Sequence, residues 1–198
     1  MNQPVAGRSF IKTVQYSRPP MALPPKRYQK KICLLGAARV GKTSVIRRFV
    51  ENRFSEEYKI TLGTHMTAKQ VRVNVDKTDC DVNMIIWDII GQEGFESLRG
   101  DYFKGAHGGI VVTDRTRVYS LGVAEDWARA FRATVGDVPL VFFMNKSDLS
   151  FKDFNLEDLQ KVADSYGGVA VETSASTGAG VEDAFLELAR RMVAAKAP

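Results

Sequence analysis

Cysteine is nearly absent: Cys33 and Cys80 are the only two in 198 residues. That excludes a disulfide-stapled extracellular scaffold and fits a reducing compartment. Also lacking is an apolar run of the about 20 residues that a membrane-crossing helix needs. A third absence is local. Residues 1–31 hold seven Lys or Arg and no acid, which leaves 21 basic against 23 acidic residues, about −2, for the rest of a chain of net charge +5. The remainder is not basic, which argues against a nucleic-acid-binding domain and confines any attraction to phosphates or anionic lipid to the leading segment. Pro19, Pro20, Pro24 and Pro25 mark that segment as a tail, taken as residues 1–29. It reads as a solvated leader or, at roughly 1 kcal/mol per basic residue, as a weak membrane-surface contact. Its Arg and Ser content also resembles a transit peptide, although prolines suit an amphipathic helix poorly, and Met21 is a second candidate start.

What is present is more specific. Gly36-Ala37-Ala38-Arg39-Val40-Gly41-Lys42-Thr43 fits G-x-x-x-x-G-K-[ST], after the apolar run Ile32 to Leu35 and before the helical-looking Ser44 to Asn52. Successive backbone N–H groups of such a loop, with the positive end of the following helix, form a concavity for phosphate oxygens. Gly36 and Gly41 leave room for that approach. Lys42 supplies an ammonium for the β and γ phosphates, and the Thr43 hydroxyl is a short neutral ligand for Mg²⁺. Val40 and Ser44 complete the candidate phosphate contacts.

Downstream, Val82 to Ile86 reads as a strand ending in Trp87-Asp88-Ile89-Ile90-Gly91-Gln92-Glu93. A carboxylate at a strand end, Asp88, can hold a magnesium-bound water. Gly91 can bring its N–H to a γ-phosphate, and the Gln92 amide can orient an attacking water. After the strand-like Leu140 to Met144 comes Asn145-Lys146-Ser147-Asp148, whose carboxylate matches the paired N1–H and N2–H₂ donors of guanine, a pair that adenine does not offer. Asn145 can tie the loop to its neighbours and the Lys146 stem can lie along the base. Glu172-Thr173-Ser174-Ala175-Ser176 follows the strand-like Val169 to Val171, and there the Ala175 N–H can donate to guanine O6. Phe54 to Thr61 supplies an exposed aromatic, Phe54, to stack on the base, and a second hydroxyl, Thr61, for Mg²⁺.

In order and spacing these segments resemble the Ras superfamily of small GTPases over about Lys30 to Ala194. Trp87 to Glu93, Tyr102 to Gly108 and Glu172 to Ala175 are most similar to the Rab branch. The resemblance implies a guanine-nucleotide switch of the P-loop NTPase fold: a three-layer α/β/α domain at 30–198 with a mostly parallel six-stranded sheet and one antiparallel edge strand. GTP would order two loops and hydrolysis would release them. Lys42, Thr43, Thr61, Asp88, Gly91 and Gln92 match the phosphate, magnesium and water-positioning roles; Phe54, Asn145, Lys146, Asp148, Ser174, Ala175 and Ser176 fall at the guanine site. It further implies a monomer read by an exchange factor, an activating protein and effectors through loops 54–65 and 89–103.

Three positions depart from the family pattern. Ala38, Arg39 and Ile90 stand where smaller residues are usual, and a displacement of the attacking water near one ångström costs about a hundredfold in rate. A slow GTPase is therefore expected, with a GTP-bound interaction module that hardly hydrolyses as the alternative. A phosphoryl transferase is a second alternative, but no acceptor-binding lid or second basic cluster is evident. Arg39 has two readings, a guanidinium swinging over the phosphates in cis or a solvent-facing charge. Membrane-attached members of the family end in prenylated cysteines; this chain ends Ala195-Lys196-Ala197-Pro198, so a cytoplasmic protein without that anchor is expected.

Two helical stripes support the α/β class independently of the resemblance. Leu121, Ala124, Ala128 and Phe131, and Val181, Phe185, Leu188 and Met192, recur at spacings of three and four. Asp76-Lys77-Thr78-Asp79 between strand-like runs signals a hairpin, hence an antiparallel edge. Trp127, Phe131 and His107 read as packing residues.

Overall fold

The computed structural model describes residues 24–55, 64–89 and 96–195, with backbone alone for 96–99. Thr61, Ile90, Gly91 and Gln92 lie outside the described residues, as does the chain before residue 24. The elements in order are β1 (Lys26–Leu35), α1 (Lys42–Glu51), β2 (His65–Val75), β3 (Thr78–Asp88), α2 (Glu96–Phe103), β4 (Gly108–Asp114), α3 (Tyr119–Val135), β5 (Leu140–Asn145), α4 (Leu156–Asp164), β6 (Val169–Glu172) and α5 (Val181–Ala194).

The strands form one six-stranded sheet in the order β2-β3-β1-β4-β5-β6. Neighbours run parallel except β2 and β3, which pair antiparallel from His65↔Asp88 to Val75↔Thr78. The turn between them is closed by Asp76 and Lys77 at φ 49° and 62°, the left-handed pair that a two-residue hairpin turn needs to match strand twist. The expected hairpin and antiparallel edge are therefore both present. β1 starts earlier than its apolar run. Lys26 to Gln29, which the proline pattern alone assigns to the tail, pair in register with Cys80 to Asn83 of β3. The long hairpin supplies backbone partners beyond the point where β1 stops being apolar.

Helices cover both faces. Along β1, Ile32 and Leu34 join the core beneath α1 and α5, whereas Cys33 and Leu35 join the core beneath α2, α3 and α4. β4 divides in the same way, Ile110 and Val112 to the first face and Val111 to the second. A strand buried on both faces has no polar side to alternate with, which is why these segments read as continuous apolar runs. Phe49 of α1 stacks on Phe185 of α5 at 3.9 Å between ring centroids. On the other face the Phe103 ring lies edge-on to Phe131 at 5.0 Å and to Trp127 at 6.2 Å, so both α3 aromatics pack as the sequence indicates. Burial pushes the Cys33 thiol up to about 12, so this cysteine is an inert core residue. His107 differs from expectation. It is exposed, and its Nδ1 accepts from the Lys31 N–H at 3.1 Å, while its own N–H donates to the Lys31 carbonyl at 2.8 Å. It brackets a strand end instead of filling the core.

Candidate functional site

The carboxyl ends of β1, β3, β4, β5 and β6 meet at one edge of the sheet, and every described candidate residue except Phe54 falls at those ends, on the loops leaving them or on the first turn of α1. Parallel strands enforce this, because each crossover helix returns the chain to the same edge. Gly36 to Gly41 link β1 to α1. Gly36 has φ 126°, and a Cβ there would lie 2.3 Å from the Val112 carbonyl oxygen; Gly41 has φ 101°, with its Cβ position 2.4 Å from Asn145 Nδ2. Neighbouring strands, and not only an approaching phosphate, therefore demand both glycines.

The carbonyls of this loop are held by donors of the protein. The Lys42 ammonium donates to Gly36 O and Ala37 O at 2.8 Å each, Arg117 Nη2 to Ala38 O at 2.9 Å, Asn145 Nδ2 to Val40 O at 2.9 Å, and the Val45 N–H to Gly41 O at 2.9 Å. In a planar trans peptide the N–H points opposite to the C=O. The amides following those carbonyls, of Ala37, Ala38, Arg39, Gly41 and Lys42, are thus directed away from these partners. N–H groups turned away from protein partners at the start of a helix are suited to an anion.

Beside the loop, Thr43 Oγ1 donates to Asp88 Oδ2 at 2.5 Å. Asp88 is only 3% exposed, and its Oδ1 has no hydrogen-bond partner among the described residues. Burial pushes its carboxyl above the usual carboxylate range, opposed by the Thr43 hydrogen bond and the nearby Lys42 charge. A buried, half-satisfied carboxylate next to a threonine hydroxyl is an oxygen donor set suited to a hydrated Mg²⁺. Among the described residues no cluster of His, Cys, Asp or Glu offers an all-protein metal cage.

The loops expected to read the base interlock. Asn145 is 1% exposed. Its Oδ1 accepts from the Ala175 N–H at 3.2 Å and from Thr173 Oγ1 at 3.5 Å, while its Nδ2 holds the phosphate loop. Ser174 Oγ donates to Asp148 Oδ1 at 2.6 Å, which orients an otherwise exposed carboxylate. The Ala175 N–H, expected at guanine O6, is here turned to Asn145; a base would have to share it. Arg48 of α1 donates to the Ala175 and Ser176 carbonyls at 2.8 and 2.5 Å. Phe54 is exposed just beyond α1, and Arg39 is exposed with its backbone at φ 67°.

Asp114, Arg117 and Arg48 escape a reading by motif. Asp114 is 1% exposed and ends β4. Its Oδ2 accepts from Lys146 Nζ at 2.7 Å and from Arg117 Nε at 3.1 Å, and its Oδ1 from Thr116 Oγ1 at 2.7 Å. Burial opposes ionisation of this carboxyl, but the Lys146 and Thr116 hydrogen bonds outweigh it and hold it below the usual range. The signal that singles out Asp88, an acid closing an apolar strand, is present at Asp114 too.

Comparison with known proteins converges on the same reading. The Ras family model matches residues 31–194. Ras-related protein Rab-21 of Mus musculus is 32% identical over 170 residues, covering 85% of this chain and 75% of that protein. Rab-21 of Dictyostelium discoideum is 34% identical over 165 residues, covering 82% and 76% respectively. Ras-related protein RABF2b of Arabidopsis thaliana is 36% identical over 170 residues, covering 84% and 82%. Together with this sheet order, the match leaves one assignment: the chain belongs to the Ras family, as a Rab-like small GTPase that binds GTP and GDP and hydrolyses GTP as a molecular switch.

Proposed function

We propose that the residues gathered at the sheet edge run a slow, Mg²⁺-dependent GTPase cycle. The observation that supports this best is the junction of Thr43 with the buried, half-bonded Asp88 directly beneath the phosphate loop. Thr43, Thr61 and Asp88, the last through a water, would hold Mg²⁺, which would neutralise phosphate charge there. Gln92 orients the water that attacks the γ-phosphorus. A bond forms from the water oxygen to phosphorus, the bond to the bridging oxygen breaks, and GDP leaves with phosphate and a proton as co-products. Lys42 and the amides of Ala38 to Ser44 take up the charge that shifts to the bridging and terminal oxygens. Asn145, Lys146, Asp148, Ser174, Ala175 and Ser176 select guanine, with Phe54 against the base. The bulk of Ala38 and Ile90, larger than is usual in the family at those positions, slows cleavage.

The test is to purify the protein natively, identify the released nucleotide by chromatography, and follow single-turnover GTP cleavage with and without Mg²⁺. Gln92→Leu is expected to lower the cleavage rate about 10²-fold, the lower range for losing a group that positions or activates a reactant. An unchanged rate in that variant would refute the role of Gln92 and favour the interaction module that hardly hydrolyses.

Asp88 carries a second prediction. Its folded-state pKa is raised, so its contribution to stability is fully present below about pH 4, the ordinary carboxylate value, and is lost as pH rises through the shifted value. Above that shifted value the buried charge is a cost to the metal-free fold. Asp88→Asn is therefore expected to leave the chelator-treated, GDP-bound protein at least as heat-stable as wild type. Its Mg²⁺ affinity should fall about 10- to 100-fold, read as the Mg²⁺ concentration that half-suppresses GDP release.

Loops 54–65 and 89–103 are the surfaces proposed for regulators and effectors, as the similarity to small GTPases implies. No described helix is long and apolar enough to cross a membrane; we place the protein in the cytoplasm as a monomer, with the basic leader in weak contact with anionic surfaces.

A further inference from the structure

We infer that Arg117 is a positioning residue for the β-phosphate, acting through the Ala38–Arg39 peptide. The inference rests on the reading of this edge as the nucleotide site.

The Asp114-to-Arg117 segment after β4 touches both halves of that site. On the base side, Asp114 pairs with Lys146 at 2.7 Å and Arg115 Nη1 donates to the Ser147 carbonyl at 2.8 Å. On the phosphate side, Arg117 spans from Asp114 Oδ2 at 3.1 Å to Ala38 O at 2.9 Å. A guanidinium is a planar fork whose Nε and Nη2 point in fixed directions. With Nε anchored on a carboxylate that is 1% exposed, Nη2 has little freedom, and the Ala38 carbonyl it holds is fixed in direction as well. The N–H of the same peptide belongs to Arg39 and points the opposite way, away from Arg117.

That peptide needs holding. Arg39 adopts φ 67°, a left-handed conformation that costs a non-glycine residue of order 1–2 kcal/mol, so an unrestrained Ala38–Arg39 peptide would gain by turning over. Turned over, it would present a carbonyl oxygen to the phosphate in place of a donor. Arg117 blocks this, and the charge-assisted bond it uses belongs to the stronger class of hydrogen bonds. The Lys146 contact to Asp114 ties the anchor to the loop that reads the base, so the clamp is rigid only when both loops are in place.

The experiment compares GDP and GMP in the full chain with Mg²⁺, because GMP leaves the β-phosphate position empty. In Arg117→Gln, GDP affinity is expected to fall about tenfold or more, whereas GMP affinity changes less than twofold. Arg117→Lys keeps the charge beside Asp114 but has no fork to reach Ala38 O, so it should restore thermal stability without restoring GDP affinity. In an Arg39→Gly background, where the left-handed conformation costs little, Arg117→Gln should weaken GDP binding by less than in wild type. Equal losses for GDP and GMP, no loss for either, full rescue by lysine, or an unchanged effect in the Arg39→Gly background would each overturn the proposal. Failure of the wild-type chain to bind GDP at all would instead overturn the reading of the site.

Discussion

Asp148→Asn is expected to weaken GDP binding by about 10²- to 10⁴-fold. Hydrogen bonds to a charged group contribute about 1.5–3 kcal/mol each, and the carboxylate offers two acceptors to guanine N1–H and N2–H₂. Replacing it with an amide retains one acceptor and turns the other into a donor facing a donor. The Ser174 hydroxyl, now 2.6 Å from Oδ1, keeps the side chain oriented, so the loss is one of chemistry and not of position. Xanthine carries a carbonyl where guanine carries its amino group, so the same variant should gain affinity for xanthosine diphosphate as it loses GDP. Competition between the two diphosphates measures both changes. A variant that still preferred guanine would remove the basis for assigning specificity to Asp148.

Lys42→Ala should be comparably damaging by a different route. Lys42 is 7% exposed and its ammonium is held between Gly36 O and Ala37 O, so truncation removes the charge facing the phosphates and leaves two carbonyls to find other donors. Truncating one partner of a desolvated, hydrogen-bonded charge pair costs about 2–5 kcal/mol, or about 30- to 5,000-fold in affinity. Lys42→Met retains the aliphatic stem and should lose nearly as much. If the methionine variant held GDP like wild type, the lysine would be filling space and not carrying charge. GDP titration of both variants decides between these roles.

These two residues, with Gly36, Gly41, Thr43, Asp88, Asn145, Lys146 and Ala175, were legible along the chain because each depends on short-range order: a residue type at a set offset from a strand end. Legibility fails where a partner comes from far along the chain. Arg117 and Ala38 are 79 positions apart, Arg48 and Ala175 127, and nothing near Arg117 or Arg48 distinguishes either from a solvated surface cation. The start of β1 at Lys26 is of the same kind, since polar residues enter a strand when a neighbour offers a backbone ladder. His107, beside glycines, reads along the chain as a packing residue, yet it is a strand-end bracket whose partner, Lys31, lies on another strand.

The amino-acid sequence by itself determined the fold class and where the proposed chemistry stands: the loop assigned to phosphate, the carboxylate assigned to guanine, the acid at the end of β3 and the alternation of apolar strands with amphipathic helices. Each is written in consecutive residues, and local backbone geometry is enough to interpret it. Tertiary structure alone decided how the site is braced. Which carbonyls the loop turns outward, which buried carboxylate anchors Lys146 and Arg117, and why Gly36 must be glycine against Val112 all depend on the parallel sheet bringing five strand ends to one edge.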